Sequence, residues 1–420
     1  MVTRTPPMGW NSWDCYGTTV TEDEVMANAD FMADRLSRHG WDTVVVDIQW
    51  YEPTARAGGY NPDAPLELDG YGRPMPVVQR FPSAADGAGF APLAARLHER
   101  GLRLGLHIMR GIPRLAVDRN LPVLGTGFTA RDVADPASRC DWNTDNVGLD
   151  HDHPGAQAYY DSLAALFAGW GVDFVKADDM LGPYHAREIG ALSTALRRSG
   201  RDMVLSLSPG RQLSTEHAAH LRASADMWRI SDDLWDNWTD LHHQFGRTAR
   251  WAALQTPGGW PDADMLPLGR IGIRAERGTD RDSRLTLDEQ RTMMTLWCMA
   301  RSPLMVGGDL PRSDPRTVDL LTNDAVLDVL RDSTGNREVL REDGLVVWTA
   351  RPTSGAPGRY VAVFNIGDEP LSVRLPLASA GCAGATGATD LWTGATVPLT
   401  GEHLQTRLAP HAAWLLRVAG

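Results

Sequence analysis

The chain is almost devoid of lysine. Of its 41 Lys and Arg residues only Lys176 is a lysine, so arginine supplies the other 40 cationic side chains. A planar guanidinium cannot replace a compact ammonium on a thin stem, which makes the retained Lys176 a candidate for a site that needs one. Cysteine is scarce too. Cys15, Cys140, Cys298 and Cys382 lie far apart with no CxxC, which excludes metal-finger spacings. There is no excess of positive charge: the formal net charge is −12, which argues against a nucleic-acid or anionic-membrane footprint over the whole chain. No run approaches the roughly 18 apolar residues of a spanning helix, and Met1–Pro7 has no apolar leader core. These absences read as a cytoplasmic protein with free thiols, without membrane or nucleic-acid partners. Self-association as a homo-oligomer is left open.

What is present is globular. A hydrophobic content of 43% with 22% charge excludes a disordered or fibrous chain. Tryptophan, at 15 residues, outnumbers tyrosine and phenylalanine at 8 each. Flat rings with one polar edge suit sugar faces as well as cores. At 420 residues the chain has room for two to three domains of ~150 residues.

Up to about residue 330, short apolar runs alternate with helical patterns, the mark of βα units. Strands are predicted at Met8–Trp10, Thr43–Ile48, Leu102–Ile108, Val172–Asp178, Met203–Ser208, Met227–Ser231, just before Trp260, and at Pro303–Val306. Helices are predicted between them, among them Glu22–His39, Ala91–Arg100, Ala156–Trp170 and Leu287–Ala300. Eight such units fit an α/β fold of the (β/α)8 TIM-barrel type over residues 1–330. A doubly wound open sheet is the alternative, but no GxGxxG follows the first strand. Over 335–420 the pattern changes to short strands (Leu345–Ala350, Tyr360–Ile366, Leu371–Leu375, Thr389–Thr393, Ala412–Val418) separated by Gly, Pro, Ser and Asp clusters. That predicts a small C-terminal antiparallel β-sandwich, with 378–388 as a loose loop.

In a barrel the chemistry sits at the C-terminal strand ends. The apolar runs end in Asp47, in His107 with Arg110, in Lys176 with Asp178 and Asp179, in Arg229 with Asp232 and Asp233, and in Asp262 with Asp264. Residues two apart on a strand share a face, so Lys176 and Asp178 point together and Asp179 elsewhere. Several carboxylates with one lysine and one arginine allow two readings: hard-oxygen ligands of a divalent metal, or two carboxyl groups flanking a glycosidic bond. His151-Asp152-His153 is the one metal-like tripeptide, and its loop spacing points only weakly to a metal.

Five motifs narrow the choice: Pro7-Met8-Gly9-Trp10-Asn11-Ser12-Trp13, Lys176-x-Asp178, Trp228-Arg229-x3-Asp233, Gly258-Gly259-Trp260-x-Asp262-x-Asp264-Met265-Leu266 and Ser302-Pro303-Leu304-Met305. In this order the chain resembles glycoside hydrolase family 27, which holds α-galactosidases, α-N-acetylgalactosaminidases and β-L-arabinopyranosidases. The resemblance runs over essentially the whole chain. It implies a retaining exo-glycosidase that needs no metal and no cofactor, with carbohydrate as its partner. Carried over, Asp178 is the nucleophile and Asp233 the acid/base. Trp10, Asp47, His107, Lys176, Ser208, Arg229 and Asp264 are substrate-binding residues, Trp10 as an apolar wall. Lys176 is expected to favour an ionised Asp178, and burial beside Asp232 a protonated Asp233.

The departures from the family pattern bear on substrate. Ile48 stands where the resemblance implies a second aspartate gripping the sugar's outer hydroxyls. Ser206-Leu207-Ser208-Pro209-Gly210 stands where Cys-Glu-Trp is common, His107 where an aromatic is common, and Met180 where secreted members carry a paired cysteine. Arg110 and Arg114 either pair with acidic residues or meet an anionic or extended glycan. The functional expectation is an α-galactosidase-type hydrolase. A related glycone such as β-L-arabinopyranoside or α-N-acetylgalactosaminide is the alternative. A non-catalytic carbohydrate-binding protein or a metal-dependent hydrolase stands further off.

Overall fold

The structure is a computed structural model that describes residues 5–420. The first four residues of the stretch read for a leader lie outside the described residues. Eight strands build the barrel: β1 Met8–Asn11, β2 Thr43–Val46, β3 Arg103–Met109, β4 Phe174–Asp178, β5 Val204–Leu207, β6 Met227–Arg229, β7 Trp260–Asp262 and β8 Leu304–Val306. All pair in parallel, in the order β7-β6-β5-β4-β3-β2-β1-β8. The ring closes just past β7. There the Leu266 N–H reaches the Met305 carbonyl at 2.7 Å, and the Gly307 N–H reaches the Leu266 carbonyl at 2.9 Å. Runs such as Val44-Val45-Val46 are apolar throughout because both faces are covered, by the barrel interior and by the helices.

Helix boundaries follow the local chemistry. Thr21 and Glu24 form a reciprocal capping box that starts helix Glu22–Phe31, and Thr286 with Glu289 does the same for Leu287–Ala300. The single helix predicted over Glu22–His39 is instead regular only to Phe31. It widens into a π turn at Met32–Leu36, tightens at Ser37–His39 and stops on Gly40, whose φ of +95° favours glycine. One insertion has no counterpart in the sequence expectations. Between β3 and β4 a three-stranded antiparallel flap forms from Ile112–Pro113, Ala134–Arg139 and Asn146–Leu149. Its strands are short and half-polar, so they carry no readable period.

After helix Asp324–Arg331 the chain enters the sandwich: β9 Thr334–Glu342, β10 Leu345–Arg351, β11 Arg359–Asn365, β12 Leu371–Pro376, β13 Gly387–Asp390, β14 Thr396–Val397, β15 His403–Leu408 and β16 Ala413–Ala419. A six-stranded antiparallel sheet, β9-β10-β11-β16-β13-β14, packs on the pair β12-β15. The segment 378–388 is mostly exposed, as a loop would be, but Ala380 and Cys382 anchor it in the sandwich interior. Alternation divides the large sheet's side chains. Val347, Val361, Val363 and Leu416 face the small sheet, whereas Val346, Trp348, Ala362 and Phe364 join the core of the barrel. Phe364 meets Phe245 of helix Trp238–Ala252 edge-on at 5.1 Å. The barrel core thus extends onto one face of the large sheet, while the sandwich interior forms a separate apolar cluster.

Candidate active site

The C-terminal ends of the strands converge on a cavity of about 480 Å³ whose lining includes Asp47, Ile48, Lys176, Asp178 and Asp233. Asp178, the last residue of β4, is held from several sides. The Ser208 hydroxyl donates to its Oδ1 at 2.8 Å, and the Asp179 N–H donates to the same oxygen at 3.0 Å. His107, its neighbour on β3, places Nε2 3.1 Å from Oδ2. A carboxylate can only accept, so that ring nitrogen carries the proton. Burial alone would raise the Asp178 carboxyl, but the His107 hydrogen bond and charge, Lys176 and the Ser208 hydroxyl outweigh it. The group is held well below the usual carboxylate range, ionised as a nucleophile must be.

The lone lysine sits inside this network. Lys176 donates to Asp47 Oδ2 at 2.7 Å, the same oxygen that accepts from Asn11 Nδ2 at 2.7 Å. Burial works against the ammonium, yet Asp47 and Asp178 together raise it above the ordinary lysine range. Asp47 is also buried, and Lys176 and His107 hold it below its ordinary value against that burial. A second network lies across the cavity. Arg229 at the end of β6 donates to Asp233 Oδ1 at 2.9 Å and pairs with Asp264 at 2.7 Å. Asp264 sits at φ +86°, its N–H on Asp262 Oδ1 at 2.9 Å, and it accepts from the Leu234 N–H at 2.6 Å. Gly210 lets the β5 loop press against this network: a Cβ there would lie 1.7 Å from the Arg229 carbonyl oxygen.

Not every expected residue faces the cavity. Trp10 is fully buried, its indole N–H spent on the Gly308 carbonyl at 2.8 Å, so it packs behind the site and forms no wall. The wall is Trp13, stacked on Tyr60 at 5.7 Å, with Trp142 continuing it at 5.5 Å. His107, Ser208, Arg229 and Asp264 are enclosed and do not line the cavity; His107 and Ser208 hold Asp178, and Arg229, held by Asp264, holds Asp233. The burial expected of Asp233 is absent, since its side chain is 44% exposed and rests on Arg229. Neighbouring Asp232 also lines the cavity, about half exposed and 3.5 Å from Arg211. Neither Arg110 nor Arg114 is among the lining residues. Arg110 is buried on Asp179 at 2.8 Å, and Arg114 pairs with Asp118 at 2.8 Å. His151 meets Glu188 at 3.1 Å, and His153 accepts from the Gly155 N–H at 3.1 Å as a helix cap. No cluster of three or more His, Cys, Asp or Glu among the described residues is arranged to hold a metal ion. Besides the aromatic wall, sequence reasoning missed Gln244 and Arg247, which line the cavity one helical turn apart.

A barrel carrying an ionised, cradled carboxylate and a second, more open carboxylate in one cavity has the parts of a retaining glycosidase. A family model described as "Alpha galactosidase A" matches residues 143–332, and one described as "Alpha galactosidase C-terminal beta sandwich domain" matches 342–418. A crystal structure of a GH27 β-L-arabinopyranosidase from Geobacillus stearothermophilus is 52% identical, covering 99% of this chain and 97% of that one, with a TM-score of 0.96. A variant of that enzyme in complex with arabinose has the same identity and TM-score. An α-galactosidase of Oryza sativa subsp. japonica is 27% identical over 97% of this chain and 83% of its own. The chain belongs to glycoside hydrolase family 27, and it is a glycosidase with a carbohydrate substrate.

The cradle of Asp178 makes a prediction about pH. Substituting His107→Phe removes the hydrogen bond that favours the ionised form, so the Asp178 carboxyl rises and is lost as a nucleophile earlier as pH falls. The acid limb of kcat/KM is expected to move to higher pH, with roughly a tenfold loss at the acid end. An unmoved limb in the measured pH profile means that His107 does not tune the nucleophile.

Proposed function

We propose that this enzyme hydrolyses terminal β-L-arabinopyranosides through a glycosyl-Asp178 intermediate, with Asp233 as acid/base. In this reading Asp47 and Lys176 hold the sugar hydroxyls, Arg229 orients Asp233 from behind the lining, and Trp13 lies against the ring. The observation that carries the glycone is Ile48, apolar and lining the cavity directly beside Asp47. β-L-Arabinopyranose has the hydroxyl configuration of α-D-galactopyranose without its hydroxymethyl group. An α-galactoside would bring that extra hydroxyl to the outer edge of the sugar, where the side chain after Asp47 is apolar. An unpaired buried hydroxyl costs about 1–3 kcal/mol, or roughly ten- to a hundredfold in binding. The similarity to the Geobacillus enzyme supports the same glycone. The α-galactoside, first in the expectations from sequence, becomes the disfavoured analogue.

The test is a panel of nitrophenyl glycosides. kcat/KM for the β-L-arabinopyranoside is expected to exceed that for the α-D-galactopyranoside by about tenfold or more. Equal or reversed values reject the assignment. Ile48→Asp, which supplies an acceptor for the extra hydroxyl, is expected to shift the ratio toward the galactoside by about tenfold.

A further inference from the structure

The outer half of the cavity is built differently from its floor. Helix Trp238–Ala252 presents Asp240, His243, Gln244 and Arg247 to it, a spacing that puts all four on one face. Asp240 is already engaged at the start of that helix, accepting from Asn237 Nδ2 at 2.8 Å and from the Trp235 N–H at 3.1 Å. Gln244 is only 1% exposed, yet its Oε1 has no hydrogen-bond partner. Arg247 makes no hydrogen bond or ion pair among the described residues. Arg211, also on the lining, meets Asp232 only at 3.5 Å, with both side chains more than half exposed.

We propose that this face is an aglycone subsite for an acidic sugar, in which Arg247, with Arg211 beside it, receives a uronate carboxylate while a ring hydroxyl donates to Gln244 Oε1. The proposal rests on the glycosidase reading of the cavity but not on the identity of the glycone. A buried acceptor left without a donor is costly, and sugar hydroxyls are donors. Burial first, then Arg211, lowers the Arg247 guanidinium below its ordinary range, with Asp232 and Asp240 acting the other way without restoring it. Glu276 and Arg277, on the same lining, pair with each other at 4.0 Å.

The test uses the retaining chemistry itself. The enzyme is given whichever nitrophenyl glycoside it turns over best, together with methyl β-D-glucuronide or methyl β-D-glucoside as acceptor. In transfer, the acceptor oxygen bonds to the anomeric carbon as the bond from that carbon to Asp178 breaks. The hydroxyl proton passes to Asp233, and Asp178 departs as carboxylate. The glucuronide is expected to yield about ten times more transfer product than the glucoside, and Arg247→Gln to bring that ratio close to one. Equal use of the two acceptors, or a preference that survives the substitution, overturns the proposal. If neither acceptor yields product, their competitive inhibition constants are compared, and equal constants overturn it as well. A wrong glycone changes only which donor is chosen and leaves the acceptor ratio intact, so the two failures are distinguishable.

Discussion

Replacing Asp178 with alanine is expected to lower kcat by ~10⁴-fold or more, the scale of loss when a nucleophile is deleted. The substitution leaves the Ser208 hydroxyl and the His107 ring aimed at a space where a carboxylate stood. A small anion should occupy that space. Azide attacks the anomeric carbon from the side Asp178 would have used, opposite the leaving group, so the product is a glycosyl azide of inverted configuration. From a β-L-arabinopyranoside that product is the α-L-arabinopyranosyl azide, readable by NMR. Rescue with retained configuration would mean that Asp178 does not attack the sugar, and a variant that keeps its full rate would remove it from the mechanism. Asp178→Asn is the companion variant, because it fills the same volume and keeps the fold while removing the nucleophilic charge.

The charged floor of this site is legible in the sequence, and the reason is geometric. A barrel strand is apolar along its length, so a polar residue at its C-terminal end stands out. Asp47, Lys176 with Asp178, and Arg229 each end such a run, and all of them meet in the two networks described. Side chains that reach the site from loops cannot be read this way. Tyr60 and Trp142 arrive on connections without periodicity, and only packing against Trp13 puts them in line. Trp10 and Trp13 sit three residues apart in one motif, and nothing local says which indole is walled in behind β8 and which faces the cavity. Arg110 illustrates the opposite error. It ends the β3 run as a catalytic residue would, yet its guanidinium turns away to Asp179 and Glu188. In the sandwich, β9 and β15 escape sequence reading because their alternation is blurred by exposed Arg, Glu, Gln and Thr residues.

Asp233 is expected to separate substrates by leaving group. Asp233→Ala should cost on the order of 10²–10⁴-fold on glycosides of poor leaving groups, the usual contribution of a general acid, and far less on a dinitrophenyl glycoside. The setting of Asp233 makes this a sharp question. Its side chain is nearly half exposed and hydrogen-bonded by Arg229, which also grips Asp264. To reach the leaving-group oxygen, Asp233 has to exchange its hydrogen bond from Arg229 for the bound substrate. Arg229 can make that exchange because its other arm stays on Asp264. With the activated substrate the first step survives in Asp233→Ala but the second lacks its base. A burst of dinitrophenolate followed by slow turnover is then expected, with azide restoring the rate and giving a product of retained configuration. That is the opposite stereochemistry to the Asp178 rescue, and the two results together assign both carboxylates. Equal losses on good and poor leaving groups would take the acid role from Asp233 and direct the same experiment to Asp232, whose partner is Arg211 and whose side chain already faces water.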